Sequence, residues 1–187
     1  VRKNSVEGKQ AAELFNAYMI AGAELLPLHF FPKECQSYLE AGLKVSQRLG
    51  TKNSEAQHLV NLGSFHISQA KYKEAEEYLQ QANQLATTLQ DAQITGKVLN
   101  EMARLYLATD KAEETINTLL DKRKLFQESK VEVDEEISLL RLGLAYEKKG
   151  EFSKAIEAMK EGQKKARANG NGHCVETFLK HLGFCLG

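Results

Sequence analysis

The residues most able to do chemistry in this chain are Cys174, His181 and Cys185, which stand seven and four positions apart. On a helix that spacing puts all three on one side. Thiolate and imidazole are zinc ligands, but a structural zinc site needs a fourth ligand converging from elsewhere, and none is at hand. The same residues suit a half-buried helix, so the sequence predicts no metal site. Thr95-Gly96-Lys97 has the ending of a phosphate-binding loop, yet Asp91 stands where the first glycine belongs and Val98 follows the lysine. No strand precedes it, so the match fails. There is no nucleophile elbow and no paired-histidine metalloprotease helix, and clustered carboxylates fall on polar faces. The expectation is a protein that is not an enzyme, with no catalytic residues and no cofactor.

Composition narrows the class. The 187 residues carry 25 Lys plus Arg and 25 Asp plus Glu, a net charge of zero. A nucleic-acid binder normally needs a cationic excess to displace phosphate counterions, so none is expected as a partner. Glu132, Asp134, Glu135 and Glu136 open one predicted helix, and Lys160, Lys164, Lys165 and Arg167 close another. Both follow the helix dipole and read as solvated helix ends. Three sparse cysteines and the lack of an Asn-x-Ser/Thr site point to a reducing, cytoplasmic setting. No apolar run is long enough to span a bilayer, so no membrane partner is expected. The sequence begins with Val1, from which a piece of a longer parent chain is expected.

Ala, Leu, Glu, Lys and Gln dominate, and the only two prolines are Pro27 and Pro32. Helix is therefore expected throughout. Comparing the chain with itself gives the organisation. Steps of forty residues from Gly63 land on Ala23, Ala103, Gly143 and Gly183, a small residue each time. Four positions earlier stand Met19, Leu59, Leu99, Leu139 and Leu179; twelve later, Cys35, Ala75, Thr115 and Ala155; sixteen later, Leu39, Leu79, Leu119 and Met159. Offsets of three and four share one helix face. Each unit thus reads as two antiparallel helices, with a small residue on the first admitting a large one from the second. Turn signals fall at Ala70, Asp110 and Gly150 and again at Gly50, Gln90, Lys130 and Gly170. Helices are predicted over 9–28, 33–49, 54–69, 72–89, 93–109, 112–128, 133–149, 152–168 and 173–186.

Leu59-x2-Leu62-Gly63-x11-Ala75-x3-Leu79-x2-Ala82 and Leu139-x2-Leu142-Gly143-x2-Tyr146-x8-Ala155 resemble the tetratricopeptide repeat (TPR). The resemblance implies an all-α fold, an α-α superhelix of antiparallel helix pairs with about nine helices. It also implies one domain over 1–187, with units near 9–50, 51–90, 91–130 and 131–170 and a partial unit over 171–187. Three departures stand out. The unit is forty residues instead of thirty-four, with the extra six expected in longer helices and inter-repeat loops. The proline that often closes a unit is missing. Gly42, Lys122 and Gly162 replace the usual alanine of the second helix. HEAT and armadillo repeats have similar periods but lack this small-residue register. The last helix, with Val175, Phe178, Leu179, Leu182 and Leu186, is expected to have a fairly apolar outer face through Phe178 and Phe184, and the array is expected to continue.

The family resemblance implies a concave face lined by the first helix of each unit. By offset its residues are Gln57, Val60, Ser64 and Ile67; Lys97, Asn100, Arg104 and Leu107; Ile137, Leu140, Leu144 and Glu147; and Thr177, Lys180 and Phe184. A polar, cationic stretch would adjoin an apolar one, suited to a peptide with an acidic end and apolar anchors. The apolar members could equally pack between repeats. The repeats that clamp chaperone carboxylate tails have Lys, Asn, Asn, Lys and Arg at fixed positions. The first window here holds Ile20, Glu24, Asn61, Lys97 and Glu101, and no other window matches either. The predicted function is a protein-interaction scaffold for a peptide or partner domain. The alternative is a sensor or oligomerisation arm of a larger signalling protein, because these forty-residue units also resemble the arms of STAND-type ATPases.

Overall fold

The computed structural model describes residues 9–14, 17, 20, 32–129 and 135–186. Every regular element among them is a helix: α1 Pro32–Leu49, α2 Lys52–Ser68, α3 Tyr72–Leu89, α4 Ala92–Ala108, α5 Ala112–Ser129, α6 Glu135–Lys148, α7 Phe152–Ala168 and α8 Gly172–Leu186. Residues 9–14, 17 and 20 are also helical. The remainder of the predicted 9–28 helix, with Met19, Ala23 and Pro27, lies outside the described residues. Pro32 opens α1, the position where a missing N–H leaves no helical bond unmade.

Helices α2 and α3 differ in what they bury. The second helices bury one narrow stripe, such as Ala75, Leu79, Ala82 and Ala86 on α3. That stripe repeats at three and four, the pattern of a helix covered on one side. The first helix α2 buries residues around most of its girth, including Ala56, His58, Val60, Leu62, Phe65 and Ile67.

Helices α1, α2, α3, α4, α6 and α7 are stopped in the same way. Gly50, Ala70, Gln90, Asp110, Gly150 and Gly170 all have positive φ, between 53° and 75°. The backbone N–H just after each reaches back five residues, as in Lys71 to His66 O at 2.9 Å and Asn171 to Ala166 O at 2.8 Å. This is the Schellman closure of a helix C-terminus. These left-handed residues leave connections of only two or three residues in the described turns. The six extra residues per repeat therefore lie in the helices, 17 or 18 residues long from α1 to α5, and not in the described loops as expected. Asp91 and Asn171 also cap the following helices, accepting from Ile94 N–H at 3.0 Å and Cys174 N–H at 3.2 Å.

The chain divides into two compact units, Val1–Glu101 and Met102–Gly187, with the division inside α4. In the first, contacts between consecutive helices keep a constant sum of residue numbers, the mark of antiparallel packing. Gly63 faces Leu79, and His66 stacks on Tyr78 with ring centroids 5.2 Å apart. A methyl group added at Gly63 would lie 2.7 Å from Leu79 Cγ, so the missing side chain lets the leucine in. Contacts between equivalent helices of successive repeats instead keep a difference of 38 or 40. Lys97 Nζ donates to Gln57 Oε1 at 2.9 Å, and Asn53 Nδ2 to Asp91 Oδ2 at 3.0 Å. Cys35, Leu39, Leu62 and Phe65 form a core, flanked by Leu43 and Tyr78.

The second unit repeats both relations. Gly143 faces Met159, with an added methyl 2.7 Å from its Cγ. Arg123 pairs with Glu161 at 2.6 Å, and Lys148 with Asp110 at 2.6 Å. One core holds Ala103, Ile116, Leu119, Leu142, Ala145 and Ala158; another holds Met159, Ala166, Cys174, Phe178 and Leu182. At the acidic start of α6 and the basic end of α7, Lys165 pairs with Glu135 at 2.6 Å while both stay substantially exposed. One expectation changes here. Phe178 does not face outward: it is fully buried, its ring against Gly162.

The three departures from alanine are explained by what stands sixteen residues later. Gly42 makes room for the imidazole of His58, and Gly162 for the ring of Phe178; a methyl at either would come within 2.4 Å and 2.3 Å of those rings. Where the second helix carries the long Lys122, the residue opposite is the small Ser138, whose Oγ accepts from Lys122 Nζ at 2.6 Å. Where it carries the usual Ala82, the register sets Val98, and both are fully buried. Size on one helix is matched inversely by size on the next.

Candidate functional site

In the first unit the predicted binding residues come from α2 and the start of α4. Gln57 and Lys97 occupy the same place in successive repeats, and their side chains meet at 2.9 Å, so this offset faces one shared surface. Gln57 Nε2 also donates to Asn61 Oδ1 at 3.2 Å. Lys97 is exposed, while Gln57, Ser64 and Asn100 are half-buried. Val60, only 4% exposed, and Ile67 are buried and belong to the packing of α2. The surface offered here is therefore amide and ammonium: groups that bond peptide backbone and carboxylates.

In the second unit Arg104 and Ile137 are half-buried. Leu107 packs on the core around Ala103 and Leu142, and Leu140 and Leu144 pack on the core around Phe178. Their apolar surface is thus largely spent on neighbouring helices. Phe184, at 69%, is the most exposed apolar member of the predicted set. Thr177 is half-buried and donates to His173 O at 3.0 Å, and Lys180 is exposed.

Glu147 gathers contacts that no spacing rule flagged. Its Oε2 lies 3.4 Å from His181 Nδ1 and 3.9 Å from Cys185 Sγ, both on α8. Burial, then the Glu147 charge and hydrogen bond, raise the Cys185 thiol above its ordinary pKa. It stays protonated at neutral pH, the reverse of an activated nucleophile or a metal thiolate. Cys174 is instead buried in the core beside Phe178. Among the described residues no group of three or more His, Cys, Asp or Glu side chains is placed to hold a metal ion. Nor, among them, is any helix long and apolar enough to cross a membrane.

The deeper histidines are structural. His58 is fully buried, and desolvation holds its imidazole down at about 4, so it is neutral at physiological pH. His66 is buried between Phe65 and Tyr78, and burial is the main cause of its lowered pKa. Sequence reasoning passed over His58. The signal available was its sixteen-residue spacing from Gly42, repeated by Gly162 and Phe178.

Comparison with known proteins agrees with this geometry. Two tetratricopeptide-repeat family models match residues 59–93 and 138–166. Tetratricopeptide repeat protein 29 of Trypanosoma brucei brucei is 25% identical over 174 residues, which is 93% of this chain but 36% of that protein. The chain thus spans about a third of the length of the curated relative it matches. Among solved structures, BtubC from P. vanneervenii superposes with a TM-score of 0.71 at 21% identity, over 92% of this chain and 68% of that one. The STAND protein PH0952 from Pyrococcus horikoshii, described as having a tetratricopeptide-repeat sensor, superposes at 0.75 with 15% identity, over 98% of this chain and 28% of that one. At these identities the two structures show the fold, an α-α superhelix of helix pairs.

Proposed function

We propose, from the premise that this chain is a tetratricopeptide-repeat protein, that it is a protein-interaction scaffold whose first helices bind a peptide or partner domain. The observation that carries the reading is the meeting of Gln57 and Lys97. Equivalent residues one repeat apart touch, so in the first unit the side chains at that offset join into one polar surface. In the first unit Lys97 and Asn100 supply donors for guest carbonyls and carboxylates; in the second, Arg104 supplies a donor and Phe184 an apolar contact. The balanced net charge suits a protein partner better than a nucleic acid. We read the chain as one array with units near 9–50, 51–90, 91–130, 131–170 and 171–187.

The test is selection from a displayed library of random 15-residue peptides against the chain. Enriched peptides should carry Asp or Glu and should lose binding to Lys97→Glu and Arg104→Glu. They should keep binding to Lys124→Glu, an exposed change on the second helix α5. Peptides that bind all three variants equally would remove the first-helix face from the proposal. Leu144→Asp is a poor probe, because it would break the core around Phe178. A second reading, a sensor arm within a larger signalling protein, is favoured by the likeness to PH0952. An adjoining nucleotide-binding domain in the parent gene would support that reading.

A further inference from the structure

We propose that the turn between α7 and α8 is a modification site, where Asn169 converts in water, without an enzyme, to aspartate or isoaspartate, and that Glu136 restrains the conversion. Of the asparagines in the chain, Asn169 and Asn171 alone are followed by glycine, in Asn169-Gly170-Asn171-Gly172. A glycine has no Cβ to keep its backbone nitrogen away from the preceding side-chain amide. The Gly170 nitrogen, after giving its proton to solvent base, attacks Asn169 Cγ. The new C–N bond closes an imide ring, the Cγ–Nδ2 bond breaks, and Nδ2 leaves as ammonia with a proton from water. Water then opens the ring at either carbonyl. The product is aspartate or, where the main chain is rerouted through the side chain, isoaspartate. The sum is amide plus water to carboxylic acid plus ammonia, with no change of oxidation state.

The two asparagines stand in different settings. Asn171 is half-buried and its amide is fastened at both ends: Oδ1 accepts from Cys174 N–H at 3.2 Å, and Nδ2 donates to Glu136 Oε1 at 3.4 Å. Asn169 is exposed, and its Nδ2 donates to the other oxygen of the same carboxylate, Glu136 Oε2, at 3.0 Å. The ψ of Asn169 is 0°, which turns the Gly170 nitrogen away from Cγ, and that N–H is held on Arg167 O at 3.2 Å. Attack therefore waits for the turn to open, and the tie to Glu136 opposes the opening. Conversion then reverses the role of Glu136. A carboxylate at position 169 faces another carboxylate, at the negative C-terminal end of the α7 dipole. The contact that anchors the turn on α6 becomes a repulsion.

Trypsin, cutting after Arg167 and Lys180, releases both asparagines in one peptide, residues 168–180, so fragment masses assign each site. The full 187-residue chain is incubated in neutral buffer beside that peptide free in solution, where Glu136 is absent. The chain should convert Asn169 before Asn171, and more slowly than the free peptide converts it. Glu136→Ala should speed conversion of Asn169 in the chain by roughly two- to fivefold, the worth of one exposed charged contact. In thermal melts Asn169→Asp should lower Tm, and adding Glu136→Gln should recover most of the loss. Three results at the chain's Asn169 overturn the proposal: conversion later than Asn171, conversion as fast as in the free peptide, or none over many half-lives of that peptide. An unchanged rate in Glu136→Ala also overturns it, as does an Asn169→Asp melt equal to that of the unmodified protein.

Discussion

The imidazole of His58 occupies the space that a side chain at Gly42 would need. Gly42→Ala should destabilise the protein by about 1–3 kcal/mol through overpacking, despite the better helix propensity of alanine. The natural pair Ala82 and Val98 shows a combination that fits the same place. Gly42→Ala with His58→Val should therefore be more stable than Gly42→Ala alone in urea denaturation; equal midpoints would deny the pairing. The histidine also makes stability depend on pH. Its pKa falls from an ordinary 6.5 to about 4 on folding. The unfolded chain then binds the extra proton, so stability is full above pH 6.5 and declines as pH falls towards 4. The decline from this group is up to roughly 3 kcal/mol. His66 adds loss of the same sign, with burial and Lys71 lowering its pKa against the opposing pull of Glu74 and Glu40. Denaturation midpoints followed from pH 7 to 4 should fall less in His58→Asn than in the unmodified protein.

At the scale of helices and turns, the repeated left-handed closure sets where six of the described helices end. Three of these left-handed positions carry a side chain: Ala70, Gln90 and Asp110. An L-residue there costs about 1 kcal/mol that glycine avoids. Ala70 is exposed, so nothing but backbone strain should change on substitution. Ala70→Gly is expected to stabilise by about 0.5–1 kcal/mol and raise Tm by roughly 1–4 °C. A lowered Tm on calorimetry would mean that the turn is not strained. The ion pairs between helices matter less: Lys165 and Glu135 are both substantially exposed, and such pairs add little.

At the scale of the whole molecule, repeat packing makes stability a sum of local units and their interfaces. Gly42→Ala should therefore speed amide hydrogen exchange in α1 and α2 while α7 and α8 keep their rates; a uniform rise across the chain would indicate a single cooperative unit. The order of residues by itself determined the forty-residue register, the described helices to within two residues at either end, and most of the turns. Helical periodicity and glycine at Gly50, Gly150 and Gly170 are local properties, written in short stretches of chain. What only the tertiary structure decided is which of those residues remain available to a guest. Leu140 and Leu144 share a periodic face with Phe184 in sequence, yet the first two pack on the core around Phe178 and the third stays exposed. The partnership of Gly42 with His58 was hidden likewise, because it appears only when one helix is laid against the next. Burial is conferred by residues brought from distant parts of the chain, and no local pattern contains it.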